Sequence, residues 1–205
     1  MRTDRKILIT AFAPFGTWPT NASHLCLERL VPLIPVTCEV TTRIYPVEFD
    51  VARPLLEADL QRNFDLAIHL GQAQTTSRIR LEAVGLNVGA VPGKREGETF
   101  SLVSSGPTAY QTALPLAPWA ERLRNEGFPA YVSYHAGTYL CNATLYWGQH
   151  FIETQRLATQ TCFIHVPLDI SQVAGLPGDY LTLPADLVAR GVARLVEMWA
   201  EMPYA

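Results

Sequence analysis

A change from strand to helix centres on the stretch Tyr134-His135-Ala136-Gly137-Thr138-Tyr139-Leu140-Cys141-Asn142. The run before it, residues 130–134, is apolar and predicts a buried strand. A tight turn at residues 136–138 is then followed by apolar residues at helical spacing over residues 143–151. We therefore expect Cys141 where a strand has just turned into a helix. Unpaired backbone N–H groups and the helix dipole favour a thiolate there, which makes Cys141 a candidate nucleophile.

The alternative for Cys141 is an ordinary buried thiol, because free cysteine is among the most buried residue types and most such thiols are inert. A catalytic role requires a general base elsewhere in the chain and a group that orients the base.

The whole chain has 205 residues, of which 48% are hydrophobic and 17% charged, as expected for one globular domain over residues 1–205. The net charge of −3, without a basic block, argues against nucleic acid as a partner. No apolar run is long enough to span a membrane, and the charged N-terminus does not resemble a signal peptide. We expect a cytoplasmic protein that binds neither nucleic acid nor membrane.

Cofactor and metal motifs are missing from the sequence. The four cysteines form no CxxC pair, and the five histidines show no HExxH spacing, so we expect free thiols and no metal. No GxGxxG or P-loop motif follows a strand, and we expect no cofactor.

Strands and helices alternate along the chain. Nearly continuous apolar runs at residues 6–12, 65–70 and 161–166 predict central strands with both faces covered. Between and after these runs we predict strands at residues 36–45 and 79–88, helices at 51–60 and 116–125, a long and mobile loop at 89–107, and a C-terminal helix starting at 182–184. The expected fold is an α/β/α sandwich with a twisted, largely parallel (mixed) open sheet.

Ligands of such sheets bind beyond the carboxyl ends of the strands. The residues at or after those ends are Phe12 and Phe15, Gln72, Cys141, and His165. This convergence predicts one site at that edge.

Asn21 or Ser23 is predicted to cap the helix that follows the first strand.

Two further residues complete a catalytic group with Cys141. His165 ends an apolar strand, where a histidine is either a general base or a core residue bonded to a carbonyl. Glu82 lies among apolar neighbours and needs a partner if it is buried; otherwise it faces the surface. We assign Glu82 as orienter, Cys141 as nucleophile and His165 as general acid and base. Backbone N–H groups at the start of the Cys141 helix would bind the oxyanion.

The sequence resembles the pyroglutamyl peptidases of the type I cysteine class, also called pyrrolidone-carboxylate peptidases, over nearly the whole chain. The resemblance is carried by four motifs: Thr10–Gly16 with Asn21–Ser23 (family TGFxPFG…NPS), Leu70–Ala73 (LGQA), Ala136–Asn142 (the cysteine motif) and Phe163–Pro167 (the histidine motif). It implies that the family's Glu-Cys-His triad falls on Glu82, Cys141 and His165.

The resemblance also implies the activity. Family members remove an N-terminal pyroglutamyl residue from peptides, without metal or cofactor, on an open α/β/α fold, and bacterial members are commonly homotetramers. Phe12 and Phe15 are then expected to line the lactam pocket, with Asn21 and Gln72 at the polar edge of the lactam. Two alternatives stay open: another Cys–His amidohydrolase with a different small acyl pocket, and a non-catalytic binding homologue.

The chain departs from the family pattern near this pocket. The usual Gly-Gly-Arg is replaced by residues 74–78, and Ala83 stands where an Arg usually follows the catalytic Glu. A segment that usually contains another Arg is shortened to residues 89–92, with Lys94 and Arg95 as candidate substitutes.

Overall fold

The structure is a computed structural model that describes residues 5–93, 95 and 97–203. Its strands are β1 (Arg5–Phe12), β2 (Cys38–Tyr45), β3 (Leu66–Ala73), β4 (Ile79–Glu82), β5 (Val84–Leu86), β6 (Ala109–Gln111), β7 (Ala130–Ser133) and β8 (Gln160–Pro167). Its α-helices are α1 (Ala22–Leu30), α2 (Phe49–Leu60), α3 (Leu116–Asn125), α4 (Leu140–Thr154), α5 (Ile170–Val173) and α6 (Ala185–Ala200), and a short 3-10 helix, Val31–Leu33, follows α1.

The main sheet has six strands in the order β2-β1-β3-β8-β4-β7. Strands β2, β1, β3 and β8 are parallel, whereas β4 pairs antiparallel with β8 and parallel with β7. Strands β5 and β6 form a separate antiparallel pair. The predicted α/β fold with a largely parallel mixed sheet is confirmed.

Alternation along the central strands divides the interior into two cores. On β1, Ile7 and Ile9 face the core that also contains residues of α1, α3 and α6. Leu8 and Phe12 face the opposite core, with residues of α2 and α4. Because successive side chains of a strand point to opposite faces, a continuous apolar run can serve both layers of helices.

The single strand predicted at residues 79–88 is wrong, because the chain changes sheets at Ala83. Its N–H donates to the carbonyl of Ser133 at 2.7 Å, in line with β4 and β7, and its carbonyl accepts from Thr112 N–H at 3.0 Å, beside β6. Ala83 thereby joins the two sheets. Strand β6 was not predicted, because three residues carry too little alternation to stand out.

The connection before α4 also differs from the prediction. Strand β7 is a half-buried edge strand and not a buried one, and the Tyr134 side chain is 65% exposed. Because β7 is antiparallel to β8, its carboxyl end points away from the edge where β1, β3 and β8 end. Residues 134–139 therefore form a six-residue connection to α4, with Gly137 at a φ of +83°, and not a tight turn.

The described residues between β5 and β6 contain no helix or strand, as predicted for this loop, although an isolated bridge joins Gly89 to Phe100. The predicted mobility of the loop stays a prediction.

Candidate active site

Cys141 is the second residue of α4, and its side chain is half-buried. Tyr139 is the N-cap residue; its side chain makes no capping bond, and its carbonyl accepts from Ala143 N–H at 3.0 Å. The N–H groups of residues 140–142 precede the first intrahelical bond, so they are available to an anion next to the Cys141 sulfur.

Gly71 allows the start of α4 to approach β3. A methyl group at Gly71 would lie 3.0 Å from Cys141 Sγ and 2.5 Å from Phe163 Cζ. Both distances are shorter than van der Waals contact, so a side chain at this position would require the Phe163 ring or α4 to shift. The position is one residue before Gln72, near the carboxyl end of β3.

His165 and Glu82 form a buried pair next to Cys141. Glu82 Oε1 is 2.8 Å from His165 Nδ1, and the Cys141 side chain is close enough to His165 to interact with it electrostatically. Burial alone would lower the pKa of His165, but Cys141 and Glu82 together outweigh burial and raise it to about 9. The imidazolium form therefore persists at neutral pH. The three residues predicted as a catalytic group lie together.

The Cys141 side chain lines a cavity of about 350 Å³. The cavity wall is mostly aromatic and aliphatic, with amide and hydroxyl groups on one part: Phe12, Phe15, Asn21, Val47, Gln72, Gln74, Thr75, Tyr139, Leu140 and Cys141. Phe12 is buried at the end of β1, and the more exposed Phe15 has its ring centroid 5.5 Å from that of Tyr139. A flat, uncharged ring with a polar edge suits this lining.

Asn21 lies on the cavity wall and is also the N-cap of α1. Its Oδ1 accepts from the N–H of Ser23 at 3.0 Å and from Ser23 Oγ at 2.8 Å, and its Nδ2 donates to the carbonyl of Ala13 at 3.0 Å. The predicted cap is confirmed for Asn21. Because both lone pairs of Oδ1 are used, the amide can offer a ligand only an N–H.

Several lining residues were not predicted from the sequence. Tyr139 was within the quoted cysteine motif, so its place next to Cys141 could have indicated it. Val47 and Thr75 gave no signal: Val47 follows an edge strand, and Thr75 lies in the segment that departs from the family pattern. Arg80 Nη2 donates to both the carbonyl and the hydroxyl of Thr75, at 2.9 and 3.0 Å, which fixes that residue at the cavity.

The chain immediately before the shortened segment 89–92 is held to α4 by Asn142. Asn142 Oδ1 accepts from Leu86 N–H at 2.8 Å, and its Nδ2 donates to the carbonyls of Leu86 and Val88 at 2.9 and 2.8 Å. Of the two candidate substitutes for the family's Arg, Lys94 lies outside the described residues. Arg95 is exposed and does not line the cavity.

The other three cysteines have different surroundings. Cys26 and Cys162 are buried, and burial raises the pKa of each thiol to about 12. Cys38 is half-buried on β2, and burial raises its pKa too. In the part of the chain that the structure describes, no group of three or more His, Cys, Asp or Glu side chains is placed to hold a metal ion. No helix among those residues is long and apolar enough to cross a membrane.

Comparisons with known proteins agree with this geometry. The family model described as pyroglutamyl peptidase matches residues 5–201. The chain is 34% identical to the pyrrolidone-carboxylate peptidase of Streptomyces coelicolor, over 97% of this chain and 93% of that protein. Its identity to the pyrrolidone-carboxylate peptidase of Pyrococcus furiosus is also 34%, over 82% of this chain and 83% of that protein.

Solved structures give the same result. The crystal structure of pyrrolidone carboxyl peptidase from Fervidobacterium islandicum superposes with a TM-score of 0.89 at 31% identity, covering 96% of this chain and 99% of that one. A structure of the Pyrococcus furiosus enzyme gives a TM-score of 0.88 at 30% identity, covering 96% and 98% of the two chains. The chain therefore belongs to the pyroglutamyl peptidase family.

Proposed function

We propose that this protein is a cysteine exopeptidase that hydrolyses the N-terminal pyroglutamyl residue from peptides through an acyl-enzyme intermediate. The observation that carries the proposal is the contact of Cys141 with the buried Glu82–His165 pair, at the wall of a cavity lined by Phe12 and Phe15. Family membership supports the same substrate class.

In acylation, the Cys141 thiolate attacks the carbonyl carbon of the pyroglutamyl residue. Backbone N–H groups of the first turn of α4 stabilise the oxyanion of the tetrahedral intermediate. The His165 imidazolium then donates its proton to the leaving nitrogen, the C–N bond breaks, and the shortened peptide leaves. An imidazolium with a pKa of about 9 is charged at neutral pH, so the proton is available at this step.

In deacylation, the now neutral His165 removes a proton from a water molecule that attacks the thioester carbon. The C–S bond breaks, pyroglutamate leaves, and the thiolate and imidazolium are restored. Glu82 holds the Nδ1–H of His165, which leaves Nε2 for the substrate side in both steps. No metal or cofactor is required by this sequence of steps.

Selectivity for pyroglutamate follows from the polar part of the cavity. Pyroglutamate and proline rings have similar shapes, and Phe12 and Phe15 would accept either. Asn21 and Gln72 can bond the lactam, whereas a prolyl nitrogen would bring a positive charge between aromatic walls, with no carboxylate among the residues of the cavity wall. A site built to hydrogen-bond a substrate group rejects an analogue without that group by roughly 10⁴-fold or more.

The experiment compares release of a chromogenic amine from pyroglutamyl, prolyl and alanyl amides by the same enzyme preparation. We expect clear cleavage of the pyroglutamyl amide and none detectable of the other two. Cleavage of the prolyl amide within about tenfold of the pyroglutamyl amide would contradict the proposed pocket. Lack of activity on all three would favour the non-catalytic alternative.

The organisation of the protein is part of the proposal. Residues 1–205 form one domain, supported by a family match that runs from residue 5 to residue 201. A cytoplasmic location is supported by the four free cysteines, since a catalytic thiol persists in a reducing compartment. We take pyroglutamyl peptides as the partners, with neither nucleic acid nor membrane. The resemblance to the family also leads us to propose assembly into a homotetramer. Light scattering of the purified protein tests the assembly.

A further inference from the structure

Gln172, on α5, makes hydrogen bonds that fix the orientation of its side-chain amide. Its Oε1 accepts from the backbone N–H of Asp169 at 2.8 Å, and its Nε2 donates to the backbone carbonyl of Thr20 at 3.0 Å. A backbone N–H can only donate and a carbonyl can only accept, so these two partners exclude the flipped amide. The remaining N–H of Gln172 donates to Gln72 Oε1 at 2.9 Å.

The orientation of Gln72 is determined in the same way. Its Oε1 accepts from the backbone N–H of Ala22 at 2.7 Å in addition to Gln172 Nε2. Two donors use both lone pairs of this oxygen. The Nε2 group of Gln72 has no hydrogen-bond partner within residues 5–93, 95 and 97–203, and Gln72 is part of the cavity wall. Its NH₂ group is therefore the polar end that a ligand in the cavity can use.

The side-chain amides of Asn21 and Gln72 therefore present the same kind of group to the cavity, a hydrogen-bond donor. Asn21 Oδ1 already accepts two hydrogen bonds from Ser23, and Gln72 Oε1 accepts two from Ala22 and Gln172. Both side chains can donate to a ligand and neither can accept. This pattern matches the ring carbonyl of a lactam, whereas the ring N–H needs an acceptor other than these two amide oxygens.

We propose that Gln172 is a positioning residue for substrate recognition, which holds Gln72 so that its NH₂ group donates to the lactam carbonyl. The inference rests on the proposed pyroglutamyl peptidase activity and adds a residue outside the cavity wall. Without Gln172, the Ala22 N–H would be the one hydrogen-bond partner of the Gln72 amide left among the described residues, and the side chain would lose part of its fixed orientation before substrate binds.

A double-mutant cycle tests this coupling. Gln172→Glu keeps an oxygen acceptor for Asp169 N–H but places a carboxylate oxygen against Gln72 Oε1. Gln172→Met removes the polar group without adding charge, and Gln72→Met removes the donor itself. Each Gln172 variant is measured alone and combined with Gln72→Met. Ser171→Ala is the matched control, because the Ser171 hydroxyl bonds Asp169 in the same turn and has no hydrogen bond to Gln72 among the described residues.

We expect each Gln172 variant to lower kcat/KM for the pyroglutamyl amide about tenfold, mainly through a higher KM, as for a lost oriented hydrogen bond. In the Gln72→Met background the same changes should have less than a twofold effect. Ser171→Ala should match the unmodified enzyme. A merely structural role would instead lower the fraction of active enzyme, which reduces kcat and leaves KM unchanged.

Binding of 2-pyrrolidone, measured by calorimetry on the same proteins, separates the two proposals. Equal losses in both backgrounds, or unchanged KM in both Gln172 variants, would overturn the role of Gln172 while leaving the peptidase activity in place. The protein could instead bind 2-pyrrolidone without turnover, with binding weakened by the Gln172 variants but not when Gln72→Met is also present. That result would overturn the activity and support the positioning role. Absence of both binding and turnover in the unmodified protein would overturn both.

Discussion

The reactivity of Cys141 depends on its surroundings, since the chain has four cysteines with the same chemistry. Cys26 and Cys162 are enclosed by apolar residues, and burial raises the pKa of each, which keeps them protonated. Cys141 is half-buried at a cavity wall, beside the start of a helix and a protonated imidazole. The helix start and the histidine motif were both visible in the sequence, so this residue could be selected before the fold was known.

The pKa of His165 is raised by Cys141 and, to a smaller extent, by Glu82, so the charge of Glu82 is predicted to contribute to the protonation of His165. Glu82→Gln keeps an oxygen acceptor for Nδ1–H but removes the negative charge, so we expect the pKa of His165 to fall from about 9. Turnover should fall by roughly two to four powers of ten, as for the loss of a base or its orienter. NMR titration of the His165 ring measures the pKa, and amide hydrolysis measures the turnover.

The difference in stability between the unmodified protein and Glu82→Gln should depend on pH. The folded-state pKa of His165 lies above its ordinary value of 6.5, so the interaction stabilises the folded protein fully below about pH 6.5. The stabilisation is lost as the pH rises through about 9. Denaturant unfolding should therefore show the unmodified protein more stable than Glu82→Gln at pH 6 and the difference reduced at pH 9.5. An unchanged His165 titration in the variant would refute this account.

At the scale of elements, long apolar runs were predicted well and short or reversed strands were not. A run such as residues 6–12 has one outcome, because only a central strand buries both of its faces. Residues 79–88 have the composition of one strand, and the change of sheet at Ala83 depends on main-chain partners from Ser133 and Thr112, which are distant in sequence. The direction of β7 is set by pairing with β4, which periodicity cannot indicate.

The packing of α4 against β3 is predicted to depend on Gly71. Gly71→Ala would place a methyl group 2.5 Å from Phe163 Cζ and 3.0 Å from Cys141 Sγ, so either the ring or the helix must move. We expect a loss of about 1–3 kcal/mol in the free energy of unfolding, as for other overpacked cores, together with lower kcat because the sulfur is displaced. Urea unfolding and amide hydrolysis measure the two effects.

Gly175→Ala is the control for that substitution, since a methyl group there meets no atom within 4 Å. It should leave both the stability and the activity close to those of the unmodified protein. If Gly71→Ala behaved like this control, the close approach of α4 to β3 would not be needed for the site.

At the scale of the molecule, the site combines residues from distant parts of the chain. Phe12 lies on β1, Gln72 on β3, Cys141 on α4 and His165 on β8. The parallel strands β1, β3 and β8 end at one edge, and this part of the site was predictable because parallel strands share an edge for their carboxyl ends. The contribution of Gln172 was not predictable, because α5 has four residues and its amide contacts depend on backbone groups of separate loops.

The two ends of the described chain are joined at the opposite end of β1 from the cavity. Arg5 is buried with 8% of its surface exposed, and its guanidinium donates to the carbonyls of Trp199 (at 3.0 Å) and Met202. Its Cζ lies 4.6 Å from the centroid of the Trp199 ring. The Trp199 carbonyl also accepts from the backbone N–H of Met202 at 3.0 Å, so Arg5 adds a charged donor to a carbonyl that already has a partner. Through Met202, Arg5 also holds the chain that follows α6.

Arg5→Met is therefore predicted to destabilise the whole fold without changing substrate selectivity. We expect a loss of about 2–4 kcal/mol in the free energy of unfolding, from two lost hydrogen bonds of a charged donor and a lost cation–π contact. Phe12 is seven residues along β1 from Arg5, which is roughly 23 Å of strand, so KM and the preference for pyroglutamyl over prolyl amides should stay within about twofold. Arg62→Met is the control. The Arg62 side chain is 51% exposed, and its ion pair with Asp59 has a long N–O distance of 3.7 Å, so its loss should cost less than about 1 kcal/mol. Equal destabilisation by the two variants would show that Arg5 does not hold the chain ends together, and a changed substrate preference in Arg5→Met would show that the two ends of β1 are coupled.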